Sequence, residues 1–139
     1  MSIVGILEPG PVSTGLVRFM PKQTNDVVEK ILTGEMTSDM TFAQKVWAIT
    51  SRIPRGRVTT YREVARQLNT KAYQAVGAAL GRNPYAPQVP CHRVVGSNGA
   101  LVGFAGGIPQ KQRMLIEEGV EITNGRVDVK RYLCDLTMA

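Results

Sequence analysis

Along this chain, stretches of helical apolar spacing are separated by short apolar runs and by glycine and proline. Ile3-Val4-Gly5-Ile6-Leu7 and Gly15-Leu16-Val17-Arg18-Phe19, split by Pro9-Gly10-Pro11, predict a small hairpin or pair of strands. From Gln23 to about Thr33, Val27, Val28, Ile31 and Leu32 share one helical stripe that Gly34 stops. Thr41 and Gln44 have the spacing of a capping box ahead of Phe42, Val46, Ile49 and Ile53, so a stronger helix is expected up to Pro54-Arg55-Gly56. A second box, Thr60 and Glu63, opens a short helix through Leu68. Asn69-Thr70 stand where they would cap a third helix to about Gly81. Two short helices joined by a tight polar turn predict a helix-turn-helix.

The third of these helices is nearly bare on one side, with Ala72, Ala75, Gly77, Ala78 and Ala79. Such a face admits close approach, either of another helix or of a DNA groove, and Lys71, Tyr73 and Gln74 are its longer side chains. Asn83-Pro84-Tyr85-Ala86-Pro87 is a loop stiffened by proline. Val89-Pro90-Cys91-His92-Arg93-Val94-Val95 reads as a compact extended segment. A turn at Ser97-Asn98-Gly99 and a loop with Gly103, Gly106 and Gly107 lead into a helix from Pro109 to Gly119, with Met114 and Leu115 apolar. A hairpin is expected between Val120 and Val129, turning at Asn124-Gly125.

The 139 residues suit one domain with a small appendage, and a hydrophobic fraction of 43% is enough for a core. No apolar run spans a bilayer, and the N-terminus does not read as a secretory signal. The net charge of +6 is unevenly spread. Between Thr41 and Arg82 lie Lys45, Arg52, Arg55, Arg57, Arg62, Arg66, Lys71 and Arg82, opposed only by Glu63. That concentration suits either a solvated basic face or duplex DNA bound through its phosphates.

Cys91-His92 is the sharpest chemical feature, since His92 is the only histidine. A thiol is mostly protonated at neutral pH and needs a base, and an imidazole needs a carboxylate to fix its tautomer. Glu117 and Glu118 are both candidates for that carboxylate. Adjacent side chains on an extended segment point apart, which leaves room for a bridging water. Cys134 reads as structural. With only two distant cysteines, no metal site or disulfide framework is expected, and a reducing compartment is the simpler setting.

Pro90-Cys91-His92-Arg93-Val94, preceded by Gly81-Arg82-Asn83-Pro84, resembles the active-site signature of the O6-alkylguanine-DNA alkyltransferases. The resemblance extends over about residues 41–119, through Thr41-Phe42 to Trp47, Arg57-Val58-Thr59-Thr60-Tyr61, Ala75-Val76-Gly77, Gly106-Gly107 and Glu118-Gly119. It implies an α+β fold: a reduced strand-and-helix region over 1–40, then a helical catalytic and DNA-binding domain over 41–139 with a winged helix-turn-helix. It also implies a single-use transferase that flips O6-alkylguanine from double-stranded DNA and takes the alkyl group on Cys91, without a cofactor. His92 would act as base through a water, oriented by Glu118. Asn83 would brace the segment before the cysteine, and Tyr61 would rotate a phosphate and donate to the departing base. Val94, Phe104, Ala105 and Gly106 would line the guanine pocket. Lys71, Tyr73, Gln74, Ala75, Gly77, Arg82 and Arg93 would meet DNA. A cytoplasmic, nucleoid-associated monomer is expected, nuclear if the source is eukaryotic.

Departures from the family pattern are specific. Gln74 stands where the family usually has an arginine that fills the gap left by the flipped base, and Tyr73 is bulkier than usual. Phe104-Ala105 replaces Tyr-Ser or Tyr-Ala. No Cys or His occurs in the first 40 residues, so no structural zinc is expected there. The rival readings are a lesion-binding relative that does not transfer, which Cys91 argues against, a winged-helix regulator, and a cysteine hydrolase.

Overall fold

The structure, a computed structural model, describes residues 22–104 and 106–137. The strands expected within residues 3–19 lie outside the described residues. The first helix, α1 (Lys22–Thr33), ends at Gly34 (φ +82) as its apolar stripe predicts. Ile31 from α1 is buried with Met40, Ala48 and Val89.

Helix α2 (Phe42–Thr50) opens on the expected capping box: the Gln44 amide donates to Thr41 Oγ1 at 3.1 Å, and the Thr41 amide donates to Gln44 Oε1 at 2.9 Å. It stops short of Pro54. The Thr50 and Ser51 hydroxyls donate back to the carbonyls of Val46 and Trp47, and Ile53 is turned into the core from outside the helix. Such back-bonding competes with helical continuation, and the residue before proline disfavours it further.

Strand β1 (Thr59–Thr60) leads directly into α3 (Tyr61–Gln67), capped by Thr60 Oγ1 accepting from the Glu63 amide at 3.1 Å. This second box is only half closed, because the Glu63 carboxylate turns to Arg66 instead. Helix α4 (Tyr73–Gly81) begins three residues later than Asn69-Thr70 suggested. Asn69 takes φ +55, and Thr70 Oγ1 caps the Ala72 amide within the turn rather than the helix. Helices α3 and α4 form the expected helix-turn-helix. Val46, Ile49, Val64, Ala65, Val76, Ala79 and Leu80 bury one core between α2, α3 and α4, and Trp47 Nε1 donates to Ala79 O at 2.8 Å.

Strand β2 (Val94–Val95) pairs in parallel with β1, Thr59 opposite Val94 and Thr60 opposite Val95. Helix α5 (Ile108–Glu117), the antiparallel pair β3 (Ile122–Thr123) and β4 (Arg126–Val127), and the short α6 (Val129–Tyr132) close a second core of Val58, Val95, Leu101, Leu115, Val120, Val127 and Tyr132. The β3–β4 turn uses Asn124 (φ +54) and Gly125 (φ +74), the conformation that sequence favours. The fold is α+β and helix-dominated. No helix among the described residues is long and apolar enough to cross a membrane.

Candidate active site and DNA-facing surface

The chain before Cys91 is folded back on itself. Asn83 Nδ2 donates to Val89 O at 2.8 Å while its Oδ1 accepts from the Tyr85 amide at 2.9 Å. The Cys91 amide donates to Val89 O and the Arg93 amide to Pro90 O, so Cys91–Arg93 is a 3-10 turn, not the extended segment expected. Pro90 restricts the entry to this turn. Side chains still fan out, at three residues per turn. Cys91 remains half-buried while His92 is turned inward at 2% exposure, and no hydrogen bond joins the two.

His92 Nε2 lies 2.9 Å from Glu118 Oε2. Glu118 is the residue that ends α5, and it also takes Arg93: Nε donates to Oε1 and Nη2 to Oε2, both at 2.8 Å, while Nη1 donates to Ile53 O at 2.7 Å. Arg93 was expected to meet DNA; its guanidinium is instead spent inside the protein, orienting Glu118. Of the two candidate carboxylates, Glu117 is exposed and Glu118 is the one at the histidine.

Burial pushes the His92 imidazolium down, and the hydrogen bond to Glu118 only partly restores it, so the ring is neutral at pH 7. Burial raises the Glu118 carboxyl, but Arg93 and His92 outweigh that and hold it below the ordinary range. With Glu118 ionised, Nε2 carries the proton toward it and Nδ1 is left as the acceptor.

The β1–β2 pairing carries Tyr61, the first residue of α3, to the same place. Its hydroxyl donates to Val102 O at 3.1 Å and is pushed up by burial and by nearby Cys91. Val102 O accepts a second bond, from Lys111 Nζ at 2.6 Å. Lys111 is fully buried, with its ammonium 5.9 Å from the centre of the Tyr61 ring. Lys111 belongs to no motif in the sequence. The available signal was its position four residues before Leu115, on the inward face of α5.

Phe104 is half-buried and Gly106 exposed on the loop over this region; Ala105 lies outside the described residues. The Val94 side chain is fully buried in the first core.

On the outer surface, Lys71, Tyr73, Gln74, Ala75 and Arg82 are exposed along α4. Gly77 is half-buried and faces Tyr61, whose ring would lie 4.0 Å from an added Cβ. A cleft of about 400 Å³ between α3 and α4 is lined by Arg62, Arg66, Asn69, Thr70, Lys71 and Tyr73.

The basic stretch is less free than its charge suggests. Arg52 donates to the carbonyls of Gly34 and Leu136, Arg55 to Glu117 O, Arg57 to Arg131 O, and Arg66 pairs with Glu63. Among the described residues, Lys45, Arg62, Lys71 and Arg82 have no such commitment.

A helix-turn-helix is joined by a strand ladder to a half-buried cysteine beside a buried His–Glu pair. Residues 41–120 match the family model described as the 6-O-methylguanine DNA methyltransferase, DNA binding domain, and the chain belongs to this family. It is 39% identical over 117 residues to the methylated-DNA–protein-cysteine methyltransferase of Salmonella typhimurium, covering 84% of this chain and 67% of that protein. It is 49% identical over 75 residues to the Methanosarcina mazei protein of the same name, covering 53% of this chain and 48% of the relative. The chain thus spans about half to two thirds of the length of these relatives. Schizosaccharomyces pombe Atl1, solved in complex with damaged DNA containing O6-carboxymethylguanine, superposes with a TM-score of 0.62 at 31% identity, covering 72% of this chain and 99% of that one.

Proposed function

We propose that this protein repairs O6-alkylguanine in double-stranded DNA by moving the alkyl group irreversibly to Cys91. The carrying observation is the half-buried Cys91 on a turn whose next residue is a neutral histidine held by an ionised glutamate. The thiol proton passes through a water to His92 Nδ1. The sulfur then attacks the alkyl carbon, a C–S bond forms as the C–O6 bond breaks, and guanine departs with the electron pair. The Tyr61 hydroxyl donates to the leaving base, having turned from Val102 O. No group in the site would hydrolyse a thioether, so each molecule acts once.

A sulfur cannot reach O6 within a stacked duplex, so the base must be extruded at a cost of a few kcal/mol. Tyr73, Gln74 and Ala75 on α4 would face the opened groove, with Lys71, Arg62 and Arg82 on phosphates. Asn83 braces the cysteine turn, and the Val94 backbone with Phe104 and Gly106 would line the base pocket. The division into 1–40 and 41–139, a monomeric state, and a cytoplasmic, nucleoid-associated setting belong to the same reading.

The test is intact mass after incubation with a duplex carrying one O6-methylguanine, followed by peptide mapping. A gain of one methyl group on Cys91, saturating at one per protein, is expected. No gain with lesion-selective binding would make the protein a sensor; no gain and no selectivity would leave a basic helix-turn-helix module.

A further inference from the structure

Lys111 has no exposed surface, and no carboxylate pairs with it among the described residues. Burying an unpaired ammonium is costly, and a core position four residues before Leu115 is more cheaply filled by leucine or methionine. Its Nζ is directed at one acceptor, the Val102 carbonyl, at 2.6 Å. That same carbonyl accepts the Tyr61 hydroxyl at 3.1 Å. Val102 begins the loop through Phe104 to Gly107, which bends with Gly103 at φ +58 and Gly107 at φ +95. One peptide oxygen therefore joins the α5 ammonium, the phenol at the start of α3, and the loop that follows Val102.

We infer that Lys111 is the positioning residue of this pocket, holding the Val102 carbonyl so that the loop stays seated and the Tyr61 hydroxyl can leave for the substrate. The inference rests on the proposed transfer only for Tyr61's second partner. When Tyr61 turns away, Val102 O keeps its Lys111 partner. The groups facing the ammonium are the Tyr61 ring from α3 and Cys91 and His92 from the cysteine turn. Desolvation brings Lys111 down to about 8, against an opposing pull from Cys91. The clasp is consequently strongest below that pH, where the donor is charged.

The test compares wild type with Lys111→Met, which keeps the apolar stem and removes the donor. Single-turnover transfer from the O6-methylguanine duplex is followed from pH 6.5 to 9.5, alongside amide exchange of residues 103–107 corrected for intrinsic rates. Transfer should slow on the order of 10-fold to 100-fold in the variant. The fall in wild-type rate above about pH 8 should be absent from the variant's profile. Loop amides should lose protection in wild type across that pH and lack it throughout in the variant, while thermal melting shows a folded and more heat-stable protein. Unchanged loop protection in Lys111→Met, or transfer at the wild-type rate with the same alkaline fall, would overturn the inference. Absence of transfer in wild type would sink the proposed function alone, because loop exchange reads the clasp without chemistry.

Discussion

Arg93 and Glu118 are joined by two hydrogen bonds of 2.8 Å, and the pair stands directly behind His92. A two-point contact between a planar guanidinium and a carboxylate fixes the carboxylate in rotation as well as position. Both Glu118 oxygens are thereby oriented before the imidazole meets one of them. Glu118→Gln should slow transfer and destabilise the fold by about 2–4 kcal/mol, since it leaves the guanidinium without its counter-charge. Chemical denaturation and single-turnover rates check the two effects. Arg93→Ala combined with Glu118→Gln should cost clearly less than the sum of the single changes.

Asn83 satisfies one donor and one acceptor in the loop that leads to Cys91. Asn83→Ala should lower stability by about 1–3 kcal/mol through the orphaned Val89 carbonyl and Tyr85 amide. Urea unfolding measures this. Transfer should fall while affinity for undamaged duplex stays level.

The free and committed basic residues should separate in salt titrations. Replacing Lys71 or Arg82 with alanine should reduce the slope of log affinity against log salt by about 1 each. Arg55→Ala and Arg57→Ala, whose guanidinium groups already serve carbonyls of Glu117 and Arg131, should leave the slope unchanged. Fluorescence anisotropy with labelled duplex between low and moderate salt decides.

Stability should rise with pH at both ends of the range, because each of the three groups titrates lower in the folded chain than in the unfolded one. His92 titrates below its ordinary value of 6.5 in the folded state, so the unfolded chain takes up the proton first and stability declines as pH falls below 6.5. Glu118, also lowered, adds a further loss below 4.5. Lys111 sheds its proton near 8 when folded and near 10.5 when unfolded, so its contribution rises with pH across that window. Thermal melts of wild type and Lys111→Met should show that alkaline rise only in wild type.

Gln74 is exposed near the start of α4, next to Tyr73 at 44% exposure. Gln74→Arg should speed transfer from duplex DNA by supplying a longer side chain for the gap in the stack, and leave reaction with the free O6-methylguanine base unaltered. A slower duplex reaction would mean that Tyr73 already fills the gap and is displaced.

The helices and turns were readable because each carries a local signal: the Thr41–Gln44 box, the φ > 0 pair Asn124-Gly125, and the 3.6-residue stripe of α1. Side-chain destinations were harder. Arg93 looks like a DNA contact until Ile53 O and Glu118 come within reach from 40 and 25 residues away. Local pattern does not separate Glu117 from Glu118; the family resemblance points to Glu118, and the last turn of α5 turns that one inward to His92. Lys111 sits in a polar stretch, Gln110-Lys111-Gln112-Arg113, whose composition hides that one of its members is buried. The end of α2 was misplaced because Pro54 is a strong stop signal, and the weaker back-bonding of Thr50 and Ser51 acted first.

The two-residue ladder between Thr59–Thr60 and Val94–Val95 has a consequence for discrimination. It clamps the start of the helix-turn-helix to the chain just after the cysteine, so the sulfur stands at a fixed reach from whatever the helix pair grips. In the proposed transfer such a protein would act as a ruler: a nucleotide that stays in its stack would be out of range, whatever its identity. Selection would then begin with how readily a base leaves its neighbours, before any contact inside the pocket has been made.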